Sequence, residues 1–407
     1  MKVGLIGYYY NIEFFKSITE SFNLLNIKVD FFPMLFYHHS NNNNLDHDFE
    51  QFLNNKSCDN KIIVSPGKID VLIWMCFTAP PHIYKLAQEC GIYNILYNHA
   101  DPFETYESAL KCNKLDESCK YIDMVFTISE SSIPFYKKYN IQHVFHTATG
   151  YNQKIHNYNE KITYMSDVTC IFGNLYIDNI YGFDRFKLLE KISKMEDITF
   201  KIYGPSSLKQ FFPDNYVDDI QINDTAKIFA SSRININTHK ILDNGAALNK
   251  RTYQIMASGG LMLMDCKSNS ILTENKEYIR IDYDNIESQI KTILENYENN
   301  KYAEIKKKSI IKSTEFTYEK IVTDFVRNIN KYLIKCENTD HNNIFDEAKT
   351  YIPMMYDSYN ISAEIKLLLQ LLKCYGPNIN IFNQLNLLAN IDGININEII
   401  NKFVSKV

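Results

Sequence analysis

No two cysteines in this sequence are spaced as C-x-x-C, and the nine present, an odd number, are scattered from Cys58 to Cys374. That excludes a zinc ribbon or a disulfide framework and points to a reducing compartment. Long apolar runs are missing too. No segment approaches the ~18 consecutive apolar residues of a membrane span. The opening run in MKVGLIGYYYN is too short for a signal peptide and reads as a first strand. Basic residues are in the minority, 43 Lys and Arg against 48 Asp and Glu. The net charge of -5 argues against general nucleic-acid binding while leaving room for a local basic pocket. A dinucleotide fingerprint is also absent. Gly4 and Gly7 do not complete G-x-G-x-x-G, so a nicotinamide-type site there has little support.

What is present is ordinary for a soluble, cytoplasmic protein: 45% hydrophobic and 22% charged residues. At 407 residues the chain has material for two domains and a tail. The heavy use of Asn, Ile, Lys and Tyr reads as an AT-rich coding bias.

Along the chain, short apolar strands alternate with helical spacing. Val3 to Ile6, then a helix over Ile12 to Leu25, then Ile27 to Phe32 is βαβ grammar, and near-continuous apolar strands signal a parallel sheet covered on both faces. Residues 34–60 interrupt it with His38, His39, an Asn run and Asp46-His47-Asp48. No strand presents those carboxylates, and a surface loop explains them better than a metal site. The alternation resumes with strands at 71–75, 93–97, 124–128 and 144–146, giving the first half about six strands. His99 and Asp101 follow the strand Tyr93 to Tyr97, where open α/β sheets place their ligands. Asp101 equally suits the N-cap of a helix opening at Pro102, and one residue can serve both ends.

After a polar linker (Thr147 to Asn159), a second βαβ series begins at Asp167. Strands are expected at 167–172, 198–203, 220–222 and 278–281, with helices at 183–193, 224–231, 286–297, 301–312 and 318–334. Asp282-Tyr283-Asp284 reads as helix capping, and Lys306-Lys307-Lys308 as a solvated helix face. From Glu337 the composition shifts towards a helical appendage suited to packing or self-association.

The most informative stretch is 234–265, ININTHKILDNGAALNKRTYQIMASGGLMLMD. It reads as strand, loop, compact helix and strand, with Gly245 in the loop and Lys250-Arg251 at the helix mouth. A helix N-terminus offers unpaired N–H groups and partial positive charge, so two adjacent cations make a plausible diphosphate cradle. An ordinary crossover with a solvated basic pair fits the same residues.

Several groups of residues make a family comparison possible. They are Asp167 to Gly173, Arg185, Ile202-Tyr203-Gly204, Asn235 and Asn237, Gly245, Arg251-Thr252-Tyr253-Gln254, Gly259-Gly260 and Leu263-Met264-Asp265. With the Ala100-Asp101-Pro102 turn, their order resembles the spore-maturation-protein-like branch of the group 1 (family 4-like) glycosyltransferases. The resemblance covers roughly residues 70 to 335. It implies a GT-B fold, an α/β class with two Rossmann-like doubly wound domains at a cleft. The domains expected are 1–155 on the acceptor side, 156–335 on the nucleotide-sugar donor side, and a helical extension at 336–407.

The implied activity is sugar transfer from a nucleotide-diphosphate sugar to a glycan, lipid or protein acceptor, within carbohydrate biosynthesis. Retention of configuration without a metal or other cofactor is expected. The implied donor-binding residues are Gly173, Asn174, Arg185, Tyr203, Gly204, His239, Gly245, Lys250, Arg251, Thr252, Tyr253 and Gln254. The implied catalytic set is Asp101, His99 and Arg251. Arg suits a diphosphate because its planar fork donates two parallel hydrogen bonds. Tyr8, Tyr9 and Tyr10 could stack on a sugar, and aromatic core packing suits them nearly as well. The sequence departs from the family at Gln254, where relatives place a Glu for the ribose hydroxyls. A catalytically silent GT-B domain that binds a partner through its tail is the rival reading. An epimerase would need paired cleft acids that are not found.

Overall fold

The computed structural model describes residues 1–7, 12–33, 49–50, 52–53, 68–75, 79–98, 115–157, 165–172, 180–220, 222–239, 247–265, 270–298 and 300–337. Those residues build two parallel sheets. The first half runs β1 (Lys2–Gly7), α1 (Ile12–Leu24), β2 (Lys28–Pro33), β3 (Val71–Met75), α2 (Pro81–Glu89), β4 (Tyr93–Asn98), α3 (Leu115–Cys119), β5 (Met124–Thr127), α4 (Ile133–Lys138) and β6 (His143–His146). Its six strands lie in the order β2-β1-β3-β4-β5-β6, all pairings parallel. β1, β3 and β5 are buried along their whole length, as expected for a sheet with helices on both faces.

Asn94, a fully buried polar residue of β4, has its side-chain amide satisfied. Asn94 accepts from Trp74 Nε1 at 2.9 Å and donates to the carbonyls of Tyr84 and Tyr121. Those bonds offset the cost of burying an amide.

The second half runs β7 (Ser166–Ile171), α5 (Ile180–Ser193), β8 (Phe200–Tyr203), α6 (Ile222–Ala230), β9 (Ser232–Asn237), α7 (Lys250–Ala257), β10 (Met262–Met264), β11 (Ile279–Arg280), α8 (Ile286–Glu295), α9 (Asn300–Ser313) and α10 (Tyr318–Glu337). Its strand order is β11-β10-β9-β7-β8. The chain leaves β7 towards β8 on one side and returns with β9 on the other. The crevice between the carboxyl ends of β7 and β9 is therefore the switch point of this sheet.

One expected strand is missing, and two helix starts show how their caps are made. The strand expected at 220–222 does not form; α6 already begins at Ile222, so Asn223 and Asp224 fall inside its first turn. α8 is preceded by an Asx turn made by Asp282, whose Oδ1 accepts from the amides of Asp284 and Asn285, while Asn285 makes no side-chain cap. Ser129 precedes a short 3-10 turn and likewise caps nothing with its side chain.

The expected polar linker is a packed element. Tyr151 donates its amide to Phe316 and accepts from Tyr318, so the first crossing between the halves bonds directly to the second. Gly150 holds φ at +66°, and a Cβ there would meet the Phe316 carbonyl and Ile321. From this crossing α10 returns to the first sheet. Phe325 stacks on Phe126 with centroids 4.2 Å apart, and Tyr318 meets Phe14 at 5.3 Å. One hydrophobic cluster thus joins both halves, and a separate one fills the other face of the second sheet. Among the described residues no helix is long and apolar enough to cross a membrane.

Candidate functional site

The I-N-I-N pattern of β9 explains how the site is framed. Ile234 and Ile236 enter the core beneath the sheet, whereas Asn235 and Asn237 are buried on the face that α7 covers. Asn235 donates to the carbonyl of Phe229 at 3.0 Å. Asn237 donates to the Thr252 hydroxyl at 2.9 Å and accepts from Asn249 at 3.0 Å. Asn249 is the N-cap of α7, its side chain accepting from the Thr252 amide. The first turn of α7 is thereby fixed against the carboxyl end of β9.

Consecutive residues on a helix point about 100° apart, so Lys250 and Arg251 cannot face one spot. Lys250 Nζ lies over the rings of Phe14 and Tyr318, at 5.7 and 5.8 Å, towards the other half of the molecule. Arg251 turns to the second sheet. Its Nη1 donates to the carbonyl of Ile171, the last residue of β7, and its guanidinium lies 5.0 Å from the Phe172 centroid.

Arg185, on α5, reaches the same ring at 5.0 Å. It is buried, 7% exposed, and donates through Nε to Thr238 Oγ1 at 2.7 Å and through Nη2 to the Thr238 carbonyl. Two guanidinium groups 66 residues apart in sequence therefore both approach the Phe172 ring at the end of β7, each 5.0 Å from its centroid. Burial, with the neighbouring Arg185 charge, lowers the Arg251 pKa to about 10; Asp265 acts in the opposite sense. At neutral pH Arg251 stays charged. Among the described residues no carboxylate lies within ion-pair distance of it.

Beside the arginines, His239 and Asp265 close the ends of β9 and β10. Asp265 accepts the His239 amide at 2.9 Å and the ring Nδ1 at 2.7 Å, and the Tyr283 hydroxyl donates to it at 3.2 Å. His239 Nε2 sits 3.3 Å from Thr252 Oγ1. If Nδ1 carries the proton, Nε2 accepts from that hydroxyl. Both ring nitrogens are thus engaged within the network. On the far side, Tyr203 and Gly204 end β8 next to β7. Gly204 holds φ at +145°, and a Cβ would strike the Phe172 carbonyl. Burial raises the Tyr203 pKa.

Of the residues expected at a donor site, Arg185, Tyr203, Gly204, His239, Arg251 and Thr252 gather around the end of β7 and its neighbours. Lys250 and Tyr253 face the junction between the halves, Tyr253 packing on Phe316 at 4.9 Å. Gln254 is buried in α7. Gly173, Asn174, Gly245, His99 and Asp101 lie outside the described residues, as do Tyr8 to Tyr10, the 34–48 loop and 338–407. The sequence reading missed Phe172, Thr238 and Asn249. Asn249 carried a signal, since an Asn three residues before Thr252 suits an N-cap. Among the described residues no cluster of His, Cys, Asp and Glu is arranged to hold a metal ion.

Two parallel α/β sheets with a final helix returning to the first define the GT-B fold of glycosyltransferases. The chain is similar to an α-glucosyltransferase solved with UDP and a DNA containing a HMU base, at TM-score 0.56 and 12% identity, covering 81% of this chain and 99% of that one. It is also similar to HepE of Anabaena solved with UDP, at TM-score 0.55 and 8% identity, covering 81% and 100%. By sequence, residues 185–327 match the family described as glycosyl transferase-like. The match begins at Arg185 and includes Arg251, so both arginines lie within the region of similarity. No curated protein matches the chain.

Proposed function

We propose that the chain is a glycosyltransferase that binds a nucleoside-diphosphate sugar on its second sheet and transfers the sugar to a hydroxyl-bearing glycan, lipid or protein acceptor. The observation that carries this reading is the convergence of Arg185 and Arg251 at the switch point of that sheet. When the bond from the anomeric carbon to the diphosphate breaks, its electron pair leaves with the phosphate oxygen. Two fixed cations there stabilise the developing charge, each worth roughly 3–4 kcal/mol on the scale of a lost oxyanion donor. The acceptor oxygen forms the new bond to the anomeric carbon and gives up its proton, for which the departing phosphate oxygen is a suitable base.

Such a reaction retains configuration and needs no metal. In it His99 and Asp101 orient the acceptor or the transferred sugar. A DNA acceptor, like that in the α-glucosyltransferase complex, is disfavoured by the net charge of -5. UDP is the first donor nucleotide to test, because both similar structures hold it.

The rival, a silent GT-B domain acting as a binding module, is favoured by Gln254, which lacks the charge of the expected Glu. A thermal-shift screen against nucleoside diphosphates and their sugars separates the two. The enzyme reading expects selective stabilisation by one nucleotide, followed by release of that nucleoside diphosphate on turnover. Stabilisation without turnover on any acceptor class would support the silent domain. No stabilisation at millimolar nucleotide would sink the donor site itself.

A further inference from the structure

Phe172 is 1% exposed and follows the last residue of β7. Its backbone is fixed from both sides. Its amide donates to the Tyr203 carbonyl at 2.9 Å, and Gly204 packs so closely on its own carbonyl that no Cβ would fit there. The ring is therefore held in one place, and both Arg185 and Arg251 lie at 5.0 Å from its centroid.

Two like charges brought together need something that holds them. An aromatic face attracts a guanidinium through its quadrupole and uses none of its five N–H groups. The edges are steadied separately, Arg251 by the Ile171 carbonyl and Arg185 by Thr238.

We propose that Phe172 is a positioning residue of the donor site, the shared plate against which two guanidinium groups rest, for a ligand whose phosphoryl groups they bind. The proposal rests on the donor-site reading above. It assigns Phe172 no contact with the reacting atoms; the ring acts through the arginines. It also assigns recognition to the diphosphate, not to the base or the sugar. Inorganic pyrophosphate should therefore feel the loss of the ring as much as UDP does.

The test is calorimetric titration of UDP and of pyrophosphate into the full chain and into Phe172→Leu, Phe172→Met and Phe172→Tyr. Leu and Met keep an apolar filler and remove the ring; Tyr keeps the ring. Both ligands should bind roughly tenfold more weakly to the Leu and Met variants, the size that partly desolvated cation–π contacts carry. The Tyr variant should stay within about twofold of the parent on the same scale. In an Arg251→Ala background the Leu substitution should add much less, because the two residues act through one contact.

Unchanged pyrophosphate affinity in the Leu and Met variants would overturn the proposal and leave Phe172 a core residue. A Tyr variant as weak as the Leu variant would overturn it too. A parent chain that binds neither UDP nor pyrophosphate would remove the donor-site reading and this proposal together. Should the ringless variants fail to fold, the parent alone still decides. The arginine Nε–H resonances of two residues should carry ring-current shifts and move together when pyrophosphate is added. Movement of neither refutes the plate.

Discussion

Replacing Arg251 with Ala separates a ligand-binding arginine from a structural one, because the two roles predict opposite changes in two midpoints. In the empty site burial, followed by the Arg185 charge, lowers the Arg251 pKa from its ordinary value to about 10. Taken at face value that is about 3 kcal/mol against the charge, and solvent at this half-buried position reduces it to about 1–3 kcal/mol. Truncation relieves that cost. It also loses the hydrogen bond to Ile171, about 1.5–3 kcal/mol for a charged donor, and the stack on Phe172, about 0.5–1 kcal/mol. The sum is about 1 kcal/mol of destabilisation, a fall of about 2–4 °C in the unliganded midpoint.

The liganded state has no such compensation. Truncating one partner of a buried charge pair costs about 2–5 kcal/mol, so UDP affinity should fall about 30-fold or more. At a UDP concentration near 100 times the parent Kd, the parent gains about 2.7 kcal/mol of stability; a variant weakened 100-fold gains about 0.4 kcal/mol. The assay is a thermal melt of both proteins with and without UDP. A drop of more than about 10 °C without ligand would make Arg251 structural. Survival of the full UDP shift in Arg251→Ala would falsify its role as a diphosphate ligand.

Two buried titratable groups give further predictions, with opposite signs. His156 pins the linker to α6 through Thr225, 2.9 Å from Nε2, and burial followed by the nearby Lys250 charge lowers its pKa from 6.5 to about 4. A folded pKa below the unfolded one means that its contribution is whole above pH 6.5 and is lost as pH falls towards 4, about 2 kcal/mol by pH 5. His156→Gln should flatten the melting midpoint between pH 7 and 5; an unchanged slope would refute the assignment. Asp123, which accepts the Asn94 amide at 2.7 Å, is raised by burial from 3.8 to about 7. Here stability declines as pH rises from about 4 to 7. Asp123→Asn should therefore gain about 2–3 kcal/mol more at pH 8 than at pH 5 by urea unfolding, and an equal gain at both would count against it.

The fold was largely legible because its strands are runs that one physical cause explains. VLIWM at 71–75 is apolar along its length, as a strand covered on both faces should be, and YNILYN at 93–98 is buried from Asn94 onward with its two asparagines included. The errors fell where a short apolar run had two uses. Ile220 and Ile222 fit a strand by composition, yet Ile222 opens a helix whose later residues, Ala226 and Phe229, supply the buried face. The linker misled in another way. Gly150-Tyr151-Asn152 is polar and short of helical spacing, and only the register with Phe316 and Tyr318 shows that it is a packed crossing.

The candidate site was legible as a set of residue types and not as an arrangement. Lys250 and Arg251 are adjacent in sequence, which suggests one pair of cations, but helical geometry sends them to opposite tasks. Arg185 is far from Arg251 in sequence, yet the order β9-β7-β8 brings the ends of α5, β7 and α7 to one crevice. The pair that matters was thus created by strand order, which no local pattern encodes. Phe172 shows the same limit from the other side. In sequence it is one more apolar residue ending a strand. Only when two guanidinium groups lie over its ring does an aromatic at this position differ from a leucine. The argument for function therefore rests on a contact among three residues from three elements, and substitutions that preserve volume while removing the ring test it most directly.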